Sequence, residues 1–259
     1  MQNNIVKQFI TRFCFKPGAV RYIRFGPLRG KVFRVNDITG LSPWYSGAER
    51  QHQQTFKNLV QPGDTVVDVG ANWGLHTLYL SMLVGHNGVV VAIEPFPPAC
   101  TELRWHIQAN TCTNVHVLTV AMSDIAGEAL FTPGSSASTG SLSVVSTASV
   151  MPKDQLAVRT QTLDSIIEEL GIARLKLVKI DVEGAEGKVL SGAKRVVERY
   201  HPYFVIDLHT PEQDVFVAHL LTSLGYSLSR LAGPAILRTD TGWPDPAGVW
   251  GTIVAAPPL

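Results

Sequence analysis

The chain has 259 residues, of which 45% are hydrophobic and 17% charged. That is enough apolar material for one sizeable α/β core, and the composition excludes a disordered chain. A formal charge of +1 removes the main electrostatic reason to expect a nucleic-acid backbone as partner. Cys14, Cys100 and Cys112 have no metal-ligand spacing and read as reduced packing thiols, as in a cytoplasmic protein.

In chain order, the first stretch sets Ile5, Phe9 and Phe13 at helical spacing with Lys7, Arg12 and Lys16 between them. Charges interrupt it too often for a signal-peptide core, and no apolar run approaches the ~20 residues that span a bilayer. Such a stripe either packs on its own domain or makes peripheral contact with a membrane surface. Residues 21–35, with FGPLRG at their centre, predict a hairpin or, equally, a plain loop marked by Gly26 and Pro27, and 49–59 a helix ending at the turn Gln61-Pro62-Gly63-Asp64. Residues 1–62 therefore read as an N-terminal extension or cap, and 63–259 as the main domain.

From Thr65 the pattern alternates. TVVDVG is a buried strand, 73–84 a helix, VVVAI a second strand, 98–110 a helix and VHVLTV a third strand. Later come LKLVKI, a helix over 187–200, YFVIDL, a helix over 211–224, and strands near Tyr226 and Thr252. Continuous apolar strands separated by helices of 10–15 residues predict an α/β fold with a mostly parallel sheet covered by helices on both faces. Residues 133–150, rich in Ser, Thr, Ala and Gly, interrupt the pattern and read as a surface insertion or a lid over the acceptor.

The chemistry concentrates where strands end. After Asp68 a turn of small residues, Gly70-Ala71-Asn72-Trp73-Gly74, leads straight into a helix. Ligands of open parallel sheets bind beyond such tips, and Gly70 and Gly74 would let the backbone come close to one. A dinucleotide fingerprint would need a glycine where Asn72 stands, to cradle a pyrophosphate. S-adenosylmethionine carries no phosphate, and Asp68 could bear on the positive end of its amino-acid tail. Glu94, at the end of VVVAI, would accept hydrogen bonds from vicinal ribose hydroxyls.

In Lys179-Ile180-Asp181-Val182-Glu183-Gly184-Ala185-Glu186, the alternation of extended chain turns Asp181 and Glu183 the same way. With Lys179 they could bind an acceptor hydroxyl and take its proton, or else cap the following helix. His209, two residues after Asp207, is a further candidate proton acceptor. No metal site is assigned, although Asp181, Asp207 and nearby oxygens could alternatively hold Mg²⁺.

Together VVDVGANWGLHT, VAIEPFP, QTLD and LKLVKIDVEGAEGKVLSGA resemble, in order and spacing, the FkbM-type methyltransferases. The likeness runs from about Glu49 to His209. It implies a Rossmann-like class I methyltransferase fold, with a seven-stranded sheet whose last strand is antiparallel. It also implies S-adenosylmethionine as donor and O-methylation of a sugar, glycolipid or natural-product acceptor. Carried over by position, Asp68, Gly70, Ala71, Asn72, Gly74 and Glu94 would bind the cofactor, with Asn110 and the turn holding Ser123 and Asp124 near it. Lys179, Asp181 and Glu183 would lie on the acceptor side. The chain departs from the family in IDLH, where Asp207 stands in place of a frequent glutamate. Two other readings remain open at this point, a nicotinamide-dependent oxidoreductase and a catalytically silent cofactor-binding scaffold.

Overall fold

A computed structural model describes residues 18–34, 49–133, 140–144, 155–231 and 251–258, the third of these as backbone. The amphipathic stripe, Cys14 and most of the 133–150 insertion lie outside the described residues. Strands β1 (Val20–Tyr22) and β2 (Val32–Arg34) form the expected antiparallel hairpin, and α1 (Arg50–Leu59) follows. Then come β3 (Thr65–Val69), α2 (Leu75–Val84), β4 (Val89–Ile93), α3 (Pro97–Ala109) and β5 (Val115–Leu118).

Between Ala121 and Gln161 the chain builds a second sheet that the sequence reading did not contain. It comprises β6 (Ala121–Met122), β7 (Gly127–Pro133), β8 (Gly140–Val144) and β9 (Leu156–Gln161), in the order β6-β9-β7-β8. Part of the Ser-rich insertion is thus a strand. Its backbone pairs with β7, which supplies what its small side chains lack in intrinsic preference.

The chain then forms α4 (Leu163–Glu169), whose N-terminus is capped by Thr162 Oγ1 accepting from the Ser165 N–H at 3.1 Å. Next are β10 (Leu177–Ile180), α5 (Glu186–Ser191), α6 (Lys194–Tyr200), β11 (Tyr203–Asp207), α7 (Pro211–Ser223), β12 (Ser227–Arg230) and β13 (Thr252–Ala256). The single helix expected over 187–200 is two. At the break, Gly192 lies against the Ser123 carbonyl so closely that a Cβ would stand 2.2 Å from it.

The main sheet has seven strands in the order β12-β13-β11-β10-β3-β4-β5. Strand β13 runs antiparallel to both neighbours, and β11, β10, β3, β4 and β5 are mutually parallel. Alternation along each strand divides the core into two layers. Val67, Val91, Val178 and Phe204 face the layer of α4, α5, α6 and α7, with Ile166, Val189, Val196 and Val217. Val66, Val90, Leu177 and Val205 face α1, α2 and the hairpin, with Phe56, Leu78, Ile23 and Phe33. The described part of the N-terminal segment therefore shares its core with the sheet.

Asn110 secures that attachment. Its Oδ1 accepts from the Val32 N–H at 2.8 Å, and its Nδ2 donates to the Val32 and His106 carbonyls at 2.7 and 2.8 Å. Phe33 stacks on His106 with ring centroids 3.8 Å apart. Burial first, helped by the Arg34 charge and opposed by the bond to the Trp73 carbonyl, lowers the His106 pKa to about 4, which keeps the stacked ring neutral.

Candidate active site

Register brings the site together. Val69 lies opposite Ile93 on one side and Ile180 on the other, and Ile180 lies opposite Ile206. Gly70, Glu94, Asp181 and Asp207 therefore leave neighbouring strands at one edge of the sheet. Gly70 and Ala71 donate to the Ile93 carbonyl at 2.9 and 3.0 Å, which folds the glycine turn back onto the β4 tip.

Glu94 stands at the β4 tip. Only 7% exposed, it accepts from the Asn72 N–H at 2.8 Å on Oε2 and from the Phe96 N–H at 2.9 Å on Oε1. Burial raises its pKa against the pull of those two N–H groups. Each oxygen keeps a lone pair, so the carboxylate can still receive two vicinal hydroxyls. These residues fit an adenosyl ribose. Asn72 holds a left-handed backbone (φ 50°), which aims its N–H inward. Beyond the β5 tip, Ser123 is buried, and its hydroxyl donates to the exposed Asp124 carboxylate at 2.9 Å.

Three cofactor candidates have other work. Gly70 (φ +75°) is required by the neighbouring strand rather than by a ligand, since a Cβ there would stand 1.8 Å from the Asp181 carbonyl oxygen. Gly74 likewise clears Leu103, whose Cδ1 would be 2.3 Å from an added Cβ. Asn110 is not brought to the tips at all. It ends α3, and the chain re-enters the sheet at Asn114, whose carbonyl accepts from Val90 at the start of β4, the opposite edge.

Asp68 and Lys179 also lie deeper than expected. They share the side of the sheet that α2 covers, because each stands two residues beyond a core residue of that face, Val66 and Leu177. Asp68 is fully buried, and its Oδ2 accepts from the Thr77 hydroxyl at 2.6 Å. Lys179, 2% exposed, places Nζ 3.5 Å from Asp68 Oδ1, 3.2 Å from Asp181 Oδ2 and 3.4 Å from the Gly70 carbonyl. Burial opposes its charge, but Asp181, Asp68 and Asp207 together outweigh that and raise its pKa. The ammonium is thus a strut beneath the site rather than a group on its acceptor face.

A second group of polar side chains is built on the β10 and β11 tips. Glu186, fully buried, accepts from the Gly184 N–H at 3.0 Å and from His209 Nδ1 at 2.7 Å. That bond turns His209 Nε2 toward Asp181 Oδ1 at 3.5 Å and Glu183 Oε2 at 3.6 Å. Burial favours the neutral ring, but the bond to Glu186 and the charges of Asp181 and Glu183 prevail and raise its pKa to about 9. With its pKa at about 9, His209 carries a proton at neutral pH and stands as a cation beside Asp181 and Glu183. Burial leads in raising the Glu183 pKa, with Asp181, Glu186 and Asp207 adding to it and His209 opposing. Glu183 also holds a left-handed backbone (φ 52°), a strained conformation of the kind that gathers at functional sites.

Asp207 does not turn to Asp181, as a shared Mg²⁺ would need. It accepts from His52 Nε2 at 3.1 Å and from the Thr252 hydroxyl. Burial opposes its charge, yet the His52 bond and the His52 and Lys179 charges hold its pKa below the usual carboxylate range.

Sequence reasoning missed Glu186, Thr77, Glu49, His52 and His76. The signal for Glu186 lay inside the quoted motif; the others become neighbours only when α1 and α2 pack. Two trios, Glu49–His52–His76 and Asp181–Glu183–His209, bring their donor atoms within 4.8 Å of one another. Among the described residues, no helix is long and apolar enough to cross a membrane.

The sequence matches the methyltransferase FkbM domain family over residues 68–228. It is 25% identical over 210 residues to the hexuronic acid methyltransferase AglP of Haloferax volcanii, covering 80% of this chain and 83% of that one. It is 31% identical over 162 residues to the 31-O-demethyl-FK506 methyltransferase FkbM of Streptomyces tacrolimicus, covering 52% of this chain and 61% of that one. The crystal structure of methyltransferase FkbM from Methylobacillus flagellatus superposes with a TM-score of 0.50 at 16% identity, covering 98% of this chain and 58% of that one, which speaks to the fold.

Proposed function

Because this chain belongs to the FkbM methyltransferase family and takes its methyl group from S-adenosylmethionine, we propose that it methylates a hydroxyl oxygen of a sugar, glycolipid or natural-product acceptor. Membership sets aside the nicotinamide-dependent and silent-scaffold readings. Oxygen as the target draws on a relative named as a 31-O-demethyl-FK506 methyltransferase, and a sugar acceptor on one named for hexuronic acid. The observation that carries the reading is the juxtaposition, on the strand tips either side of β3, of a buried Glu94 held by two backbone N–H groups and the acid pair Asp181 and Glu183.

In this reading Glu94 receives the ribose hydroxyls, and the backbone of Gly70, Ala71, Asn72 and Gly74 shapes the adjoining wall. Ser123 and Asp124 border the base. Asp68 acts from below, through Thr77 and Lys179. Bound S-adenosylmethionine supplies an electrophilic methyl carbon on a positively charged sulfur, so the protein chiefly has to align the acceptor and take a proton. Asp181 lies between two cations, Lys179 and His209, and is committed to both, whereas Glu183 faces His209 alone and has a raised pKa. Glu183 is therefore the better proton acceptor. Asp181 and protonated His209 orient the hydroxyl. On methyl transfer to the acceptor oxygen, the hydroxyl proton would pass to a Glu183 carboxylate oxygen.

The test is S-adenosylhomocysteine formation with a panel of uronic acids, glycolipids and hydroxylated macrolides. Glu183→Gln should lower kcat at least a hundredfold while leaving S-adenosylhomocysteine affinity within twofold. Full turnover in that variant would remove Glu183 from the chemistry. Products methylated on nitrogen or carbon would overturn the hydroxyl assignment.

A further inference from the structure

The edge beside β11 carries a second donor set that methyl transfer does not use. Glu49, just before α1, and His52, one turn later, stand at the Glu-x-x-His spacing that puts both on one helix face. His76 reaches the same point from the first turn of α2. Glu49 Oε2 lies 2.8 Å from His76 Nε2 and 3.5 Å from His52 Nδ1, and the two rings are 5.1 Å apart.

The orientation of His52 is the telling feature. Its Nε2 lies 3.1 Å from Asp207 Oδ1, and the same Asp207 oxygen is held by the Thr252 hydroxyl. A carboxylate can only accept, so Nε2 carries a proton toward Asp207, and Nδ1 is the ring nitrogen that faces Glu49. That Nδ1 is buried and has no hydrogen-bond partner among the described residues. Held 3.5 Å from the Glu49 carboxylate, Nδ1 is placed to share a cation with it.

We propose that Glu49, His52 and His76 bind a divalent transition cation of the zinc class, with Asp207 as the outer carboxylate that fixes the His52 tautomer. Donor separations of 2.8 and 3.5 Å are the edges expected of a coordination polyhedron with bonds of about 2.0–2.2 Å. Two imidazoles and one carboxylate suit Zn²⁺, Co²⁺ or Ni²⁺, whereas Mg²⁺ and Ca²⁺ prefer all-oxygen sets. A carboxylate behind a ligating imidazole is the usual second partner of such a metal. Three protein ligands leave a position open for water or an acceptor oxygen. The ion would also tie α1 to α2 and, through Asp207, to the sheet.

The test uses the full chain, free of any affinity tag and stripped with chelator. Titration with Co²⁺ should give a saturable visible absorption band at one equivalent. X-ray absorption at the zinc edge of the wild-type chain should find two imidazoles and oxygen in the first shell. Glu49→Gln and His76→Gln should each weaken Co²⁺ binding at least tenfold, and Mg²⁺ should not compete. Absence of stoichiometric binding, a first shell with fewer than two imidazoles, or variants that bind like wild type would overturn the proposal. Should either variant fail to fold, the wild-type absorption spectrum decides by itself.

Discussion

Lys179→Met isolates the strut beneath the site. The substitution keeps a long unbranched stem but removes the ammonium that serves Asp68 at 3.5 Å and Asp181 at 3.2 Å. Asp68 cannot escape to solvent, since it is fully buried, and Thr77 satisfies one of its oxygens. Breaking a buried pair by deleting one partner costs about 3–5 kcal/mol, because a carboxylate is stranded at low dielectric. For a chain of this size each kcal/mol moves Tm by roughly 2–4 °C, so the variant should melt roughly 6–20 °C lower. Differential scanning calorimetry at pH 7 measures this, and the double variant Asp68→Asn/Lys179→Met supplies the control. Removing the stranded charge should recover part of the loss, so the two substitutions should be far from additive. A drop of less than about 1 kcal/mol for Lys179→Met, or strict additivity, would refute the argument that the ammonium holds these tips together.

The remaining predictions follow from single contacts. His209 has a pKa raised from 6.5 to about 9, so its contribution to stability is complete below pH 6.5 and is lost as pH rises through 9. Chemical denaturation across that window should show declining stability in the wild type and a flatter profile in His209→Asn. In Glu94→Gln an amide nitrogen must face one of the two backbone N–H groups that the carboxylate now accepts, at a cost of about 1–3 kcal/mol. Calorimetry should find S-adenosylhomocysteine bound at least tenfold more weakly. Asn110→Ala removes three hydrogen bonds to Val32 and His106 and should lower Tm with cofactor affinity unchanged; a tenfold loss of affinity would return Asn110 to the site.

The parallel sheet and the positions of its strand tips were legible because burial on both faces writes itself as continuous apolar runs, and because the tips follow directly from where those runs end. Thr65–Val69, Val89–Ile93, Leu177–Ile180 and Tyr203–Asp207 all stand where the pattern puts them. The second sheet was not legible. Gly140–Val144 owes its strand to pairing with Gly127–Pro133, which no local composition announces. The depth of Lys179 was hidden for a related reason. A lysine at a strand end normally reads as exposed, and only the packing of α2, with Thr77 beside Asp68, closes that face over it. Asn110 matched a motif by position, yet its amide was claimed by the hairpin, a partner far away in sequence. Glu-x-x-His was visible at residues 49–52, but its third member waits on the next helix.

The β10 tip explains why the two halves of the site should respond as one. Asp181 presents its carbonyl beneath Gly70, so closely that no side chain fits between them. Its carboxylate meanwhile lies between Lys179 and His209. A change in the glycine turn therefore moves the backbone that aims an acceptor-side carboxylate, and a change in the acid pair moves the wall of the cofactor half. Packed elements transmit such shifts because close-packed interiors do not absorb them. Lesions in one half should accordingly register in the kinetics of the other, and a pair such as Gly70→Ala with Glu183→Gln should couple where Asn110→Ala with Glu183→Gln should not.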